Sequence, residues 1–235
     1  FKTLDFFKSF LNSLITVLPT ALFQTASAAL VGYGLARFEF PLKKMWIVLV
    51  VATFLIPTQI TLIPRYVLFH QYGMLDTVWP QYLPALFGQG LKSTIFILLY
   101  YMVFSSYPKA FDEAARIDGA DDFKILVRII IPMSKPILAT IALWSMVGHW
   151  NAWFDCLIYI TDPSKQVLQI VLRRVVLEGS VQMMNPNAAE FTDQIVNPEN
   201  IKAATIITAT VPIIMIYPFL QKYFVTGIMV GSLKG

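Results

Sequence analysis

SSYPKAFDEAARIDGADDFKILVRIIIPMSKP, residues 105–136, carries ten charged side chains in a chain that is otherwise strongly apolar. Lys109, Arg116, Lys124, Arg128 and Lys135 are interleaved with Asp112, Glu113, Asp118, Asp121 and Asp122. A bilayer core does not accept that density of charge, so the segment lies outside the hydrocarbon and joins two spans. Ser106 and Pro108 mark a helix start, because proline's absent N–H is not needed in a first turn. Asp112 and Glu113 fall in that turn, where the helix dipole favours negative charge. Asp112 also stands four residues before Arg116, the better orientation for a helical ion pair. Gly119 offers a left-handed stop. Asp121 or Asp122 can cap a second helix, which is expected to end before Pro132. The stretch reads as two short helices around a glycine bend, presented to another molecule.

The rest of the chain fits a membrane. Of 235 residues 57% are hydrophobic and 14% charged, with a mean hydropathy of +0.64; a soluble domain has about a quarter of its residues charged. A span needs about 20 mostly apolar residues, and residues 10–36, 45–69, 81–104, 137–160 and 203–224 meet that requirement. The expected fold is all-α, a polytopic helical bundle with five spans in one transmembrane domain over 1–235. Pro57 and Pro64 should kink the second span, and Pro212 and Pro218 the fifth. The basic excess (net charge +4) belongs to membrane flanks and not to nucleic acid, since no Lys/Arg cluster combines with exposed aromatics. One cysteine, Cys156, excludes an internal disulfide framework.

Charge sets the orientation. Placing Arg37, Lys43, Lys44, the loop 105–136, Lys222 and Lys234 in the cytoplasm puts ten basic residues inside, against six at Lys2, Lys8, Lys165, Arg173, Arg174 and Lys202. Residue 1 is then outside, with residues 1–9 forming an interfacial segment, and the C-terminus is cytoplasmic. The chain has no initiator methionine and no signal peptide, so a sixth span is expected upstream. The extracytoplasmic loop 161–202 should hold one amphipathic helix, built on Val167, Ile170, Val171, Arg174, Val175 and Leu177. Gly179 and Asn185-Pro186-Asn187 should break it.

Catalytic residues are not found. There is no G-x-x-x-x-G-K-[ST] loop, so ATP would be hydrolysed by another polypeptide; Gly32-Tyr33-Gly34 and Gly88-Gln89-Gly90 serve close helix packing. His70, His149 and Cys156 have no metal-ligand spacing. The fourth span is more informative. Thr140, Trp144, Gly148, Asn151 and Asp155 form one polar-aromatic stripe. Such a face suits a sugar, with a flat ring for the C–H face and amide or carboxylate groups for hydroxyls. The competing reading is that Asn151 and Asp155 bond neighbouring helices or the headgroup zone. Asn12, Thr16, Thr20 and Ser27, flanked by Ser13 and Gln24, make a similar stripe in the first span, where packing is an equal explanation. His149 lies off the fourth-span stripe and reads as a hydrogen-bonded packing residue. Arg65, Lys92, Arg173 and Arg174 map to the outer side, where they either snorkel at span ends or favour an acidic, uronate-containing oligosaccharide.

Glu113-Ala114-Ala115, Asp118-Gly119-Ala120, Ile129, Pro132 and Pro136 resemble the EAA loop of binding-protein-dependent ABC transporter permeases, in particular the maltose-type carbohydrate family. Asn12-Ser13, Tyr33-Gly34-Leu35-Ala36-Arg37-Phe38, Trp150-Asn151 and the tail from Gly227 to Gly235 are similar to that family too. The resemblance implies a type I importer permease fold in the bacterial cytoplasmic membrane. It also implies a second permease subunit, two ATPase subunits that bind ATP and Mg, and an extracytoplasmic solute-binding protein meeting the loop 161–202. In that reading 105–136 is the cytoplasmic coupling loop. Glu113 anchors it, Ala114, Ala115 and Ile117 fill a cleft of the ATPase, Gly119 supplies the turn, and Asp118 and Pro132 belong to the same ATPase-coupling set. The tail, 225–235, either enters the ATPase interface or is a free terminus. The alternatives are a secondary transporter or channel using Asp155 without an ATPase and, last, a membrane-embedded enzyme.

Overall fold

The structure, a computed structural model, describes residues 5–90, 92–184, 200, 203–215 and 218. Among them every regular element is helical. The first, α1 (Phe6–Arg37), has 32 residues and at 1.5 Å per residue reaches about 48 Å, beyond the ~30 Å hydrocarbon core. Its polarity is inverted relative to a helix of a soluble protein. Ser9, Ser13, Thr16, Thr20, Gln24 and Ser27 are buried, while Leu11, Leu18, Leu22 and Leu30 are exposed. In lipid that arrangement is favourable, because the surroundings are as apolar as leucine and helices are joined by close packing and hydrogen bonds.

Around α1 pack α4 (Trp79–Leu86), α5 (Ser93–Ser106) and α9 (Lys135–Trp150). Closest is α5, since a Cβ on Gly32 would lie 2.6 Å from Tyr100 Cβ. The apolar core lies at this crossing, with Ala28, Phe96, Tyr100 and Phe104 fully buried.

The apolar segments are helical where described, but more broken than their composition implies. The second is a pair, α2 (Lys43–Leu55) and α3 (Thr58–Gln71), bent by 94° where Pro57 holds Ile56 in an extended conformation. The third is interrupted between α4 and α5, where Gly88, Gly90 and Lys92 take φ values of 69°, 128° and 61°. The fourth breaks at Ala152 (φ −80°, ψ 67°), an inverse γ-turn in which Trp153 N–H donates to Asn151 O, and resumes as α10 (Trp153–Tyr159). By length and composition one helix, α1, can cross a membrane by itself, or up to three spans result if each bent pair counts as one, among the described residues.

The charged segment forms α6 (Ala110–Ile117), a turn at Gly119, and α7 (Asp122–Ile125). The second of these does not stop before Pro132. It continues through a π-helical turn, Leu126–Ile130, into α8 (Ile131–Met133), with Ile131 N–H bonded to Leu126 O. The wider turn accommodates a proline that has no N–H to give. Beyond a short 3-10 turn, Pro163–Lys165, the amphipathic helix is present as α11 (Leu168–Met184) and runs through Gly179 without breaking there. A last helix, α12 (Ala203–Met215), begins the fifth expected span. Residues 1–4, Asn185-Pro186-Asn187 and the tail 225–235, for which the sequence raises expectations, lie outside the described residues.

Candidate functional site

Two regions gather the polar groups. The first is the α6–Gly119–α7 unit. Asp121 Oδ1 accepts from Lys124 N–H at 2.7 Å, capping α7, and Gly119 takes φ +78°, a conformation for which glycine is suited. Outward from α6 stand Phe111 (44% exposed) and Ile117 (87% exposed), with exposed Glu113, Ala114 and Asp118. Pro132 is likewise exposed.

Two of the sequence expectations are corrected on this helix. Ala115 is buried in the protein's own core, so it faces away from the surface on which Ala114 and Ile117 stand. Asp112 does not pair with Arg116. It turns inward and meets Arg37, Nε to Oδ2 at 3.2 Å, with the two side chains only 3% and 12% exposed. Arg116 instead reaches over the Gly119 turn to Asp122 at 2.6 Å. Arg37 also donates to Tyr107 O at 3.0 Å, and Tyr33, one turn earlier, donates to Asp122 O at 3.3 Å. From the sequence Arg37 is a cytoplasmic charge and part of the run Tyr33 to Phe38 that resembles the permease family, with no partner assigned to it. A usable signal was present in its position one turn beyond Tyr33 on the same helix face.

The second region is a cavity of about 770 Å³ between α2–α3 and α9–α10, within the usual range for small-molecule sites. Trp144, Gly148, Asn151 and Asp155 line it, so four members of the predicted stripe share one space despite the break at Ala152. Thr140 is not among them; its hydroxyl donates to Pro136 O at 2.9 Å. Facing the stripe are Thr53, Gln59, Arg65 and Lys92. Lys92 Nζ stands 5.4 Å above the Trp144 ring, a cation held over a π face. The other two outer arginines are engaged elsewhere. Arg173 lies 4.4 Å over Trp153, and Arg174 donates to Gln166.

Behind the cavity the first-span stripe works as packing. Gln24 donates to Ser93 Oγ at 2.8 Å and accepts from Ser145. His149 Nε2 lies 3.0 Å from Gln24 Oε1, as a hydrogen-bonded packing residue should. Ser27 donates to Ala85 O at 2.6 Å, and Asn12 to Ser164 O at 3.0 Å. No group of His, Cys, Asp and Glu that could hold a metal occurs among the described residues.

On the expected outer side, Asp76 ties the α3–α4 connection to the loop after α10. Its carboxylate accepts the N–H groups of Thr161 (2.6 Å) and Asp162 (2.8 Å) and the Thr161 hydroxyl (2.8 Å). These bonds, Asp162 N–H foremost, hold the carboxyl below its ordinary pKa.

Residues 28–230 match the family described as binding-protein-dependent transport system inner membrane component. The polygalacturonan/rhamnogalacturonan transport system permease protein YtcP of Bacillus subtilis (strain 168) is 33% identical over 237 residues, covering 100% of this chain and 79% of that protein. Protein LplC of the same organism is 36% identical over 239 residues, covering 100% and 77%. Among solved structures, a bacterial ABC transporter involved in the import of the acidic polysaccharide alginate aligns with a TM-score of 0.75 at 25% identity, over 93% of this chain and 75% of that one.

Proposed function

Because the chain belongs to the family of binding-protein-dependent transport system inner membrane components, we propose that it is a permease subunit of an ATP-driven oligosaccharide importer, working by alternating access. A second permease subunit completes the route. Two ATPase subunits, which bind ATP and Mg, dock from the cytoplasm, and a solute-binding protein delivers sugar from outside. In this reading the five apolar segments are spans, and the loop 105–136 and the C-terminus are cytoplasmic.

The observation that carries the proposal is the outward set Phe111, Glu113, Ala114 and Ile117 on α6, hinged at Gly119. Closure of the ATPase pair pulls on that helix. Ala114 and Ile117 fill the receiving cleft, Glu113 adds charge-assisted contacts, Gly119 keeps the turn's shape, and exposed Asp118 and Pro132 extend the docking surface.

Substrate passes the cavity. The Trp144 ring covers a sugar C–H face, while Asn151 and Asp155 take hydroxyls. Lys92 and Arg65 on the facing wall suit the carboxylates of uronate units, in keeping with relatives named for polygalacturonan and alginate transport. The test is uptake by the whole transporter in proteoliposomes. Lys92→Gln should lower uptake of a uronate trisaccharide about tenfold relative to a neutral one, the size of a lost charge-assisted hydrogen bond. Equal loss for both sugars would remove the acidic assignment. Uptake without ATP hydrolysis would remove the importer and favour an ATPase-independent carrier built on Asp155.

A further inference from the structure

We infer that Arg37 and Asp112 are positioning residues of coupling: their buried ion pair makes the inner end of α1 move with α6, so α1 carries the ATPase stroke to the cavity. This rests on the permease reading above. Chain connectivity ties α6 to α5 on one side and to α7 on the other, and α1 reaches it only through space. At that contact Arg37 meets Asp112 with side chains 3% and 12% exposed. Such a charge is stable only with its partner in place, so the two helices separate with difficulty. Arg37 further bonds Tyr107 O at the root of α6, and Tyr33 bonds Asp122 O beyond the Gly119 turn. Both limbs of the hinge are thus held to one helix.

Continuity upward is equally direct. Gly32 admits Tyr100 to contact distance. About 20 Å from Arg37 along the helix, at 1.5 Å per residue, Gln24 is bonded to Ser93, Ser145 and His149. Ser93 is itself part of the cavity wall. A pull on Asp112 therefore reaches the substrate space through a single unbroken helix.

The test uses the complete transporter in proteoliposomes with trigalacturonate and maltotriose as probe sugars, reading sugar taken up per ATP hydrolysed. Sugar-stimulated hydrolysis by the wild-type complex establishes the permease reading; without it that reading fails, whatever the variants do. Given that stimulation, Asp112→Asn and Arg37→Gln complexes should keep basal hydrolysis while uptake per ATP falls about tenfold, as expected when a desolvated charge pair is broken. The exchange Arg37→Asp with Asp112→Arg should recover part of the loss, which ties the effect to the pair and not to either side chain alone, while the retained basal hydrolysis separates coupling from a purely structural role in assembly. Where the single variants fail to assemble, Arg37→Lys decides: it keeps the charge but not the forked geometry, and uptake per ATP should fall. Unchanged uptake per ATP in an assembled Asp112→Asn or Arg37→Lys complex overturns the inference.

Discussion

Asp76 has a left-handed backbone (φ 56°) and gathers two N–H groups and a hydroxyl on its carboxylate, so its charge and the loop's shape depend on each other. Its folded pKa is depressed. The resulting stabilisation is fully present above the unfolded aspartate value of about 3.9 and is lost as pH falls through the lower folded value. Asp76→Asn tolerates the same φ but cannot titrate. Its melting temperature in detergent should lie below wild type at neutral pH, and the gap should close as pH drops below about 4; a gap independent of pH would contradict this. Gly119 separates two causes of damage in the same way. A Cβ there would meet nothing within 4 Å, so only its φ of +78° resists substitution. Gly119→Val should abolish coupled transport, whereas Gly119→Asn, which enters the left-handed region more readily, should retain most of it. Equal loss in both would point to a contact and not to the turn.

At the scale of elements, α1 and α5 approach so closely at Gly32 that a Cβ would lie 3.1 Å from Ile97 O and Tyr101 N as well as 2.6 Å from Tyr100 Cβ. Backbone atoms cannot swing aside. Gly32→Val should therefore destabilise the bundle by about 1–3 kcal/mol, read as a fall in melting temperature. Gly34→Ala, whose Cβ meets Phe38 only at 3.9 Å, should be silent. The existence of these helices was legible from apolar runs, and the hinge from Gly119 and Asp121. Their interruptions were not, because hydropathy does not register backbone hydrogen bonding. Nothing in the composition around Asn151-Ala152 announces an inverse γ-turn. Pro132 reads as a stop when the π-turn that accommodates it is unseen. The fourth-span stripe was readable because Trp144, Gly148 and Asn151 keep helical spacing up to the break, and the short turn leaves Asp155 on the same wall. Thr140 shares that face one turn before Trp144 but lies outside the cavity lining.

For the whole molecule, the long-range pairs were the illegible part. Asp112 has a charge of the right sign four residues away, and local reasoning chose Arg116 over a distant Arg37; only the assembled bundle buries one side of α6 and so redirects the aspartate. Orientation can be tested directly, because the lone cysteine, Cys156, is buried and leaves a quiet background. Glu39→Cys, at a side chain 77% exposed, should react with a membrane-impermeant maleimide only from the cytoplasmic face, and Ser164→Cys only from outside; the reverse pattern would overturn the topology. The inverted polarity of α1 has a further consequence, for biogenesis. Leu11, Leu18, Leu22 and Leu30 face outward, so they provide the affinity for lipid that lets the segment leave the translocon. Gln24 and Ser27 weaken that affinity and gain their bonds to Ser93, Ser145 and Ala85 only when α4, α5 and α9 arrive, whereas Ser13 and Thr20 bond back to carbonyls of α1 itself. One surface thus governs insertion and the opposite one governs assembly, so a nascent α1 awaiting its neighbours is the stage at which quality-control proteases have the most to recognise.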